Sequence, residues 1–399
     1  MQVLILFYIS DFDRKNLTMK EKVKIKNFIN YPLTICFFAV CIMVFLGYLL
    51  MGDTQFSDME NRYLALRPSI SLQALSDGSF MQNFENYCNE QVPGRNLLVK
   101  AKAGISQLMF MCENDGVAKG SDGYLFEKVT GESPQASKNI SAITNFAKTA
   151  GERDRDVFIA VAPTSVWINE NRLPKGMPVL DEKSLSEKLS ESIEKTDFVD
   201  KVHVIDLYTP LSEHKNEDLY YRTDHHWTTP GAGYAYEAIM REMGEKPGDI
   251  SAYDRNTRSD FYGTAYAKYK GVGVNPDSIE YYDVPIEELR LEKRTVYNLY
   301  DLDKLDTYDK YAMFMYGNDG CYEVLSGNEG GKIIVLKDSY ANCLIPYLTM
   351  NFNDIIVVDL RYFGGSVQEM LDSNPDAEIL LLYNWSFVND DNHFYKLVK

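Results

Sequence analysis

The sequence is poor in the residues on which nucleic-acid-binding and metal-binding proteins depend. Its 41 Lys and Arg are outnumbered by 58 Asp and Glu, which gives a net charge of −17 at pH 7. This charge repels a phosphate backbone, so nucleic acid is not expected as a partner, and it mainly keeps an exposed domain soluble. The chain has five His, and its six Cys show no CxxC spacing, which leaves a zinc site without support. Disulfides and unpaired thiols both stay open for Cys88, Cys112, Cys321 and Cys343.

Charge is also missing from one long stretch near the N-terminus. No charged residue lies between Asn27 and Gly52, and about 20 apolar residues are enough to span a bilayer core. Basic residues precede the stretch and acidic residues follow it: Arg14, Lys15, Lys20, Lys22, Lys24 and Lys26, then Asp53, Asp58 and Glu60. The positive-inside rule therefore predicts a cytoplasmic basic tail at 1–27 and a single transmembrane helix at 28–51 in the bilayer of the cell membrane. The main domain is then extracellular.

Two other interpretations of this stretch fit less well. A signal peptide has a shorter apolar core and a small-residue cleavage site, and no Ala-x-Ala follows here. A buried helix of a soluble core is not expected to carry such one-sided flanking charge. The start of the chain stays open between Met1 and Met19, because from Met19 onward the sequence is a compact basic region followed by the anchor.

In the rest of the chain, the pattern of apolar residues changes at about residue 115. Residues 52–115 carry apolar residues at helical spacing over 73–91 and 96–111, which predicts a helical stalk or N-terminal subdomain. Over 116–399, apolar runs alternate with amphipathic helical patterns, which predicts an α/β domain with a parallel sheet covered on both faces. The runs are 124–126, 157–162, 202–207, 333–336, 355–358 and 379–383. Residues 250–330 are rich in Tyr and charge and predict an insertion with short antiparallel strands beside the sheet.

Two segments lie where a parallel sheet places its functional groups, after the carboxyl ends of strands. Ser339 follows the strand that ends at Leu336 and precedes a predicted helix, whose backbone N–H groups could stabilise an oxyanion. A serine nucleophile needs a base, and the base needs an orienting acid. If 223–228 is extended, Asp224 and His226 project together while His225 points elsewhere, so His226 is the predicted base.

Ordinary structural roles for the same residues stay open. Most serines after strands are turn or cap residues. Asp224 could cap the helix that begins near Pro230. The adjacent histidines could bind a metal, although no further cluster of His or Cys supports this.

At Thr223-Asp-His-His-Trp227 the chain resembles the bacterial DHHW family, which is similar to the SGNH-hydrolase-like proteins that O-acetylate alginate and other exopolysaccharides. The resemblance extends from about Phe56 to the C-terminus. The other matching pieces are 60–65, 93–95, 120–126, 161–163, 260–264, 337–340 and 359–362. Each piece is short, and together they are specific.

The resemblance implies an SGNH-hydrolase-like α/β fold with a catalytic triad of Ser339, His226 and Asp224. The serine comes last in the chain, as in the alginate-type relatives. Lys337 replaces the glycine that usually precedes the Asp-Ser pair, and the asparagine block of SGNH enzymes is not recognisable. Several groups are therefore candidates for oxyanion or substrate contacts: the Ser339 and Tyr340 amides, Asn342, Arg361 and Trp227.

The activity that the resemblance implies is membrane-anchored, extracytoplasmic O-acetyl transfer to a hydroxyl of a cell-envelope polysaccharide or exopolysaccharide. A polytopic membrane-bound O-acyltransferase is the expected acyl supplier, and neither a cofactor nor a metal is expected. Two alternatives stay open. One is an extracytoplasmic carbohydrate esterase that uses the same triad with water as acceptor, and the other is a non-catalytic polysaccharide-binding or scaffold protein.

Overall fold

The computed structural model describes residues 31–57, 60, 62–109 and 113–398. The predicted cytoplasmic tail, both candidate start residues and Cys112 lie outside these residues. The chain divides into two compact units, residues 1–57 with 62–98 and residues 58–61 with 99–399. The four-segment division expected from the sequence stays a prediction.

The described elements are short strands and helices in the first unit and an alternating α/β pattern in the second. The strands are β1 Phe56–Ser57, β2 Arg62–Tyr63, β3 Glu113–Asn114, β4 Val117–Lys119, β5 Leu125–Glu127, β6 Val157–Ala162, β7 Val202–Ile205, β8 Arg255–Phe261, β9 Asp277–Tyr282, β10 Glu288–Leu291, β11 Arg294–Val296, β12 Cys321–Leu325, β13 Gly331–Lys337, β14 Phe352–Asp359 and β15 Glu378–Asn384. The α-helices are α1 Pro32–Leu50, α2 Leu72–Ser76, α3 Ser79–Glu90, α4 Arg95–Leu108, α5 Pro134–Gly151, α6 Ser165–Ile168, α7 Glu182–Glu194, α8 Tyr208–Glu213, α9 Thr229–Glu242, α10 Thr264–Tyr269, α11 Ile345–Leu348, α12 Val367–Ser373 and α13 Trp385–Asp390.

Helix α1 begins with Pro32, whose fixed φ and missing N–H suit the first turn of a helix. Its 19 residues include none that is buried, and they rise about 28 Å at 1.5 Å per residue. In the part of the chain that the structure describes, α1 is the helix with the length and composition to cross a membrane. The apolar helix predicted at 28–51 is therefore present over 32–50.

The helix predicted over 73–91 is two helices. Helix α2 ends at Ser76, and α3 begins at Ser79 after Gly78 with φ of 79°. A left-handed backbone at Gly78 stops one helix and starts the next, because glycine adopts this conformation without the cost that a side chain would add. The apolar spacing alone did not show this break.

The second unit is built on an eight-stranded sheet with the order β11-β10-β12-β14-β13-β15-β6-β7. The five strands from β14 to β7 are parallel, as predicted. The first four contain runs of buried apolar residues, whereas in the edge strand β7 only Val202 and Ile205 are buried. The sheet as a whole is mixed, however. Strands β10, β11 and β12 extend it with antiparallel pairing, so part of the predicted insertion continues the sheet. Strands β8 and β9 form a separate two-stranded antiparallel sheet, with α10 in the connection between them.

The two faces of the sheet are covered by two separate hydrophobic clusters. In β13, Ile333 and Val335 pack into one cluster with α9, and Ile334 and Leu336 pack into the other with α5 and α7. This alternation follows from the two-residue period of a strand. Because both faces are covered, the carboxyl ends of the strands are left as the place where polar groups can reach solvent.

Candidate active site

Strand β13 ends at Lys337. Asp338 follows the strand, and Ser339, the next residue, is partly exposed. The Asp338 carboxylate holds this turn in place by accepting three hydrogen bonds. One of its carboxylate oxygens accepts hydrogen bonds from the Asn384 amide at 2.7 Å and the Asn384 side chain at 2.8 Å. The other accepts the Tyr340 amide at 2.8 Å. The serine is thus held at the junction of two neighbouring strands, β13 and β15.

The helix predicted after Ser339 is short. Residues Ser339–Cys343 form a 3₁₀ turn, and α11 follows with Pro346 in its first turn. Two such short pieces have little macrodipole, so the helix-dipole contribution expected from the sequence is small here. Local N–H groups are the remaining source of backbone stabilisation for an oxyanion.

The segment that carries Asp224 and His226 is a tight turn, not the extended stretch on which their pairing was predicted. Tyr220 and Trp227 form an antiparallel bridge, and the Tyr221 amide donates to the His226 carbonyl at 3.2 Å. Within the turn, the His226 amide donates to Asp224 Oδ1 at 3.0 Å. This Asx-type turn brings the carboxylate and the imidazole together by a different route from strand alternation.

The structure brings the three predicted catalytic residues into one hydrogen-bonded chain. Asp224 Oδ1 lies 2.5 Å from His226 Nδ1, and His226 Nε2 lies 2.8 Å from Ser339 Oγ. With the proton on Nδ1, Asp224 accepts from the ring and Nε2 accepts from the Ser339 hydroxyl. This order of acid, base and nucleophile is the geometry that activates a serine. Thr228, not Asp224, caps the helix that follows.

Burial and the neighbouring groups together set the charge states of Asp224 and His226. Burial, and after it the neighbouring His225, lower the pKa of His226 from 6.5 to about 4, although Asp224 opposes the shift. Burial by itself raises the pKa of Asp224, but His226, His225 and the Thr264 amide outweigh it and hold that pKa well below its ordinary value. At neutral pH, therefore, an ionised Asp224 orients a neutral imidazole that is able to accept a proton.

Three supporting residues come from the region that sequence reasoning set beside the sheet. Thr264 donates its amide to Asp224 Oδ2 at 2.7 Å and its hydroxyl to the same oxygen at 3.0 Å. The Tyr311 ring stacks on His226 with centroids 3.8 Å apart, and its hydroxyl donates to the Ser339 carbonyl at 3.1 Å. Gly263 lies against Asp224. The matching piece 260–264 contained a signal for Gly263 and Thr264, while nothing in the sequence pointed to Tyr311.

His225 does not point away from the site. Its ring centroid lies 3.8 Å from that of His226, and its Nδ1 lies 2.6 Å from Thr264 Oγ1. Ligand atoms of Asp224, His225 and His226 lie within 4.8 Å of one another. Both ring nitrogens of His226 are already engaged, by Asp224 and Ser339, so a metal at His226 would have to displace the serine. The hydrogen bonds favour the serine chemistry.

The predicted oxyanion and substrate candidates separate into two groups. Trp227 is fully buried and donates its indole N–H to the Tyr340 carbonyl at 2.8 Å, so it cannot stack on a substrate. Asn342 is buried and bonded to Lys337 and Asn318, and the Tyr340 amide is bonded to Asp338. Trp227, Asn342 and the Tyr340 amide therefore have structural roles in the site. The Ser339 amide and Arg361 remain as candidates for contact with an oxyanion.

Arg361 is held in place by a buried ion-pair network. Asp359 accepts its Nε at 2.9 Å and its Nη2 at 2.6 Å, and Lys337 Nζ lies 3.5 Å from the same carboxylate. The Arg361 side chain keeps 24% of its surface exposed, and its charge contributes to the lowered pKa of His226. A fixed guanidinium within electrostatic reach of the base can stabilise negative charge that develops beside Ser339.

The mixed sheet with helices on both faces forms an α/β fold of the SGNH-hydrolase-like type, which the solved structures reported next support. The model of the DHHW protein family matches residues 192–358, so the resemblance to that family is confirmed. The solved structure of a DHHW family protein from Eubacterium siraeum has a TM-score of 0.59 and 23% identity and covers 72% of this chain and 96% of that one. Bacillus cereus PatB1 with a sulfonyl adduct has a TM-score of 0.59 and 19% identity and covers 70% and 98%.

A curated relative extends the comparison. The probable alginate O-acetylase AlgJ of Pseudomonas fluorescens is 23% identical over 178 residues. The match spans 43% of this chain and 44% of that protein, so the chain matches less than half the length of this relative. The solved structures support the fold.

Proposed function

We propose that the protein is a membrane-anchored, extracytoplasmic O-acetyltransferase that moves an acetyl group through Ser339 to a hydroxyl of a cell-envelope polysaccharide or exopolysaccharide. The observation that carries the proposal is the hydrogen-bonded chain from Asp224 through His226 to Ser339. The name of the curated relative, a probable alginate O-acetylase, supports the reaction type and the polysaccharide acceptor.

The proposed first step makes an acetyl ester on the enzyme. Ser339 Oγ attacks the acetyl carbonyl of the donor while His226 Nε2 takes the hydroxyl proton. Asp224 holds the ring and stabilises the imidazolium. The tetrahedral oxyanion forms beside the Ser339 amide, with the Arg361 charge in reach. As the intermediate collapses, the bond from the carbonyl carbon to the donor breaks and the donor leaves with the proton from His226.

The second step repeats the chemistry with a sugar hydroxyl as nucleophile. His226 takes the proton of the acceptor hydroxyl, the new ester bond forms, and the bond to Ser339 Oγ breaks. The same proton returns to Ser339, which regenerates the enzyme. If water takes the place of the sugar, the identical steps amount to an esterase, so the acceptor decides between the two activities.

Anchoring through α1 would keep this chemistry at the membrane surface. The helix presents its apolar side chains on all sides, as a membrane-spanning helix does. The expected supplier of acyl groups is a polytopic membrane-bound O-acyltransferase, because acetyl donors of this kind are made in the cytoplasm. A bilayer-anchored acceptor of those groups would meet such a partner in the plane of the membrane.

The test uses the full-length protein in detergent with p-nitrophenyl acetate, with and without a soluble oligosaccharide. Ser339→Ala is expected to lower kcat/KM by about 10³-fold or more, because the nucleophile is lost while the fold is kept. Ser373→Ala is the matched control, since Ser373 is an exposed helix residue. Transfer of one acetyl mass to the oligosaccharide supports the transferase, and release of acetate alone indicates the esterase. Equal turnover in the parent and Ser339→Ala would rule out Ser339 as the nucleophile, and no turnover in either folded protein would favour a binding or scaffold role.

A further inference from the structure

The region between the apolar helix α1 and the α/β domain exposes many large apolar side chains. Among the described residues after Met51, twelve exposed large apolar side chains lie within 63–109, and seven lie in the much longer stretch 113–398. Single exposed apolar residues are ordinary on a protein surface, but a concentration of them marks an interaction surface. The function proposed above gives these side chains no role.

Helix α4 shows this exposure along its whole length. Its exposed large apolar side chains are Leu97, Leu98, Ile105 and Leu108. Leu97 and Leu108 keep 73% and 81% of their surface exposed. At 3.6 residues per turn the four positions fall on one face of the helix, and the buried Ala103 lies on the opposite side. A helix of a soluble domain has the reverse arrangement, with its large apolar side chains turned inward.

The charge around α4 is opposite in sign to that of the whole chain. Residues 91–112 contain three basic residues and no acidic residue, in a chain with a net charge of −17. Lys100 and Lys102 are exposed, and at 3.6 residues per turn they lie on opposite borders of the apolar face. Lysines at such borders can lay their stems on an apolar surface and extend their charge toward phosphate groups. An apolar face bordered by basic residues is typical of helices that lie in the surface of a bilayer.

The start of α4 is held against the end of α1. Pro93 packs directly on Gly47, so closely that a Cβ added at residue 47 would overlap the proline ring. The Gln91 side chain exchanges two hydrogen bonds of 2.9 Å with the Thr54 backbone. Because Gly47 lies in the last turn of α1, these contacts place the start of α4 where an anchor formed by α1 leaves the bilayer.

We infer that α4 lies in the surface of the bilayer, with its apolar face among the upper acyl chains and its two lysines at the lipid phosphate groups. The partner is thus a lipid surface that carries anionic headgroups. The inference rests on the anchoring part of the proposed function, because α4 needs the bilayer that α1 spans, and it is independent of the acyl chemistry at Ser339. It adds a second membrane contact to the one that α1 provides.

The experiment adds one tryptophan at a time to the full-length protein in vesicles of phosphatidylcholine and phosphatidylglycerol, with and without bromine on the acyl chains. Bromine quenches tryptophan at short range, so quenching reports contact with the acyl region. Phe45→Trp tests the anchor, and Leu98→Trp tests the apolar face. Asn96→Trp, exposed on the other side of α4, is the matched control. The three native tryptophans give a background that is measured on the parent, and equal Tm values show that each variant is folded.

The added tryptophan is expected to be quenched at the anchor and at the apolar face. Leu98→Trp should lose about half of its added fluorescence or more, because a surface helix buries its apolar face about 5–10 Å into the boundary between headgroups and acyl chains. Phe45→Trp should be quenched at least as strongly, and Asn96→Trp should lose little beyond the parent.

A second comparison tests the role of the lysines. Quenching of Leu98→Trp should fall in vesicles of phosphatidylcholine alone, because basic side chains next to a membrane are attracted to anionic lipids. Lys100→Gln combined with Lys102→Gln should cause the same fall in the mixed vesicles. Lys183→Gln with Lys195→Gln, two exposed lysines of α7, is the control and should change nothing. Quenching that ignores both the lipid charge and the two lysines of α4 would overturn their assignment to the phosphate groups.

The outcomes separate this inference from the proposed function. Quenching of Phe45→Trp alone, or equal quenching of Leu98→Trp and Asn96→Trp, would overturn the placement of α4 and leave the anchor. Absence of quenching in all three variants would overturn the anchor, and with it this inference, while the role of Ser339 is tested separately by ester turnover. An unquenched Leu98→Trp in a protein that sediments as a dimer, and as a monomer after Leu98→Glu, would assign the apolar face to a second copy of the chain.

Discussion

Glu182 and Asp224 are buried carboxyl groups whose pKa values are shifted in opposite directions. Burial alone raises the pKa of both. Asp224 faces the imidazole of His226 and is held ionised. Burial raises the pKa of Glu182 to about 7, and the two hydrogen bonds from Thr164 oppose the shift only in part. A fully buried acid with a pKa near neutrality makes stability depend on pH.

We expect Glu182→Gln to stabilise the protein above about pH 7 and to change little near pH 4.5. The folded state keeps a proton between pH 4.5 and about 7 that the unfolded state releases, so this group lowers stability as pH rises through that window. The shift corresponds to about 3 kcal/mol at one pKa unit per 1.36 kcal/mol. A glutamine can keep both contacts with Thr164, since its amide both accepts and donates. The measurement is the Tm of both full-length proteins at about pH 5 and pH 8.

The control for this prediction is Glu187→Gln, which removes the same charge from an exposed position on the same helix. Its Tm should follow that of the parent at both pH values, because exposed charges contribute little. A difference between the parent and Glu182→Gln that is the same at both pH values would show that titration of Glu182 does not affect stability.

At the scale of elements, the site depends on how closely α10 approaches the turn of Asp224. Gly263 precedes α10, and a Cβ added there would lie 2.2 Å from both Cβ and Oδ2 of the buried Asp224. No side chain fits in this space without displacing the carboxylate. The approach also lets the first N–H of α10 donate to Asp224 at 2.7 Å.

Gly263→Ala is therefore expected to reduce kcat about 100-fold or more, because displacement of a catalytic group by about 1 Å can cost that much. The added methyl group would push Asp224 away from His226. The measurement is kcat for p-nitrophenyl acetate together with the Tm, which separates loss of geometry from loss of fold. Gly364→Ala is the control, since nothing lies within 4 Å of a Cβ at that position. Activity of Gly263→Ala within about twofold of the parent would contradict this account of the turn.

The elements that were predictable from sequence are those whose apolar residues are continuous and buried on both faces. Strand β6 was expected over 157–162 and is observed at Val157–Ala162, with all six residues buried. Short antiparallel strands were predicted in 250–330, but their pairing with the main sheet was not predictable. Strand β10 is half polar, with Glu288 and Arg290 among its four residues, and its pairing depends on contacts with β12 farther along the chain.

The residues of the site also divide into those that were predictable from the sequence and those that were not. Ser339, His226 and Asp224 were identified from residue type, position after strands and resemblance. The reason given for pairing Asp224 with His226 was wrong in its geometry, because a turn and not a strand joins them. The contacts of Thr264 and Tyr311 bring together residues from separate segments of the chain, and local spacing carries no information on such contacts.

At the scale of the whole molecule, the distribution of charge along the chain is expected to fix its orientation in the membrane. Six basic residues precede the apolar stretch, and Asp53, Asp58 and Glu60 follow it closely. Basic residues that flank a span are retained on the cytoplasmic side, so everything after α1 should face outward. This orientation is required if the acceptor is a polysaccharide of the cell envelope.

We expect a specific protease site inserted between Gly52 and Asp53 to be cut when protease is added to intact spheroplasts, which would release the main domain into solution. In inverted membrane vesicles the same site should be protected, because it then faces the lumen. Vesicles opened with detergent serve as the control that the site can be cut. An alkaline wash should leave the uncut protein in the membrane, since a spanning helix resists extraction. Cleavage in inverted vesicles alone would place the proposed triad in the cytoplasm, where the acetyl donor is available directly and no acyl-supplying partner is needed.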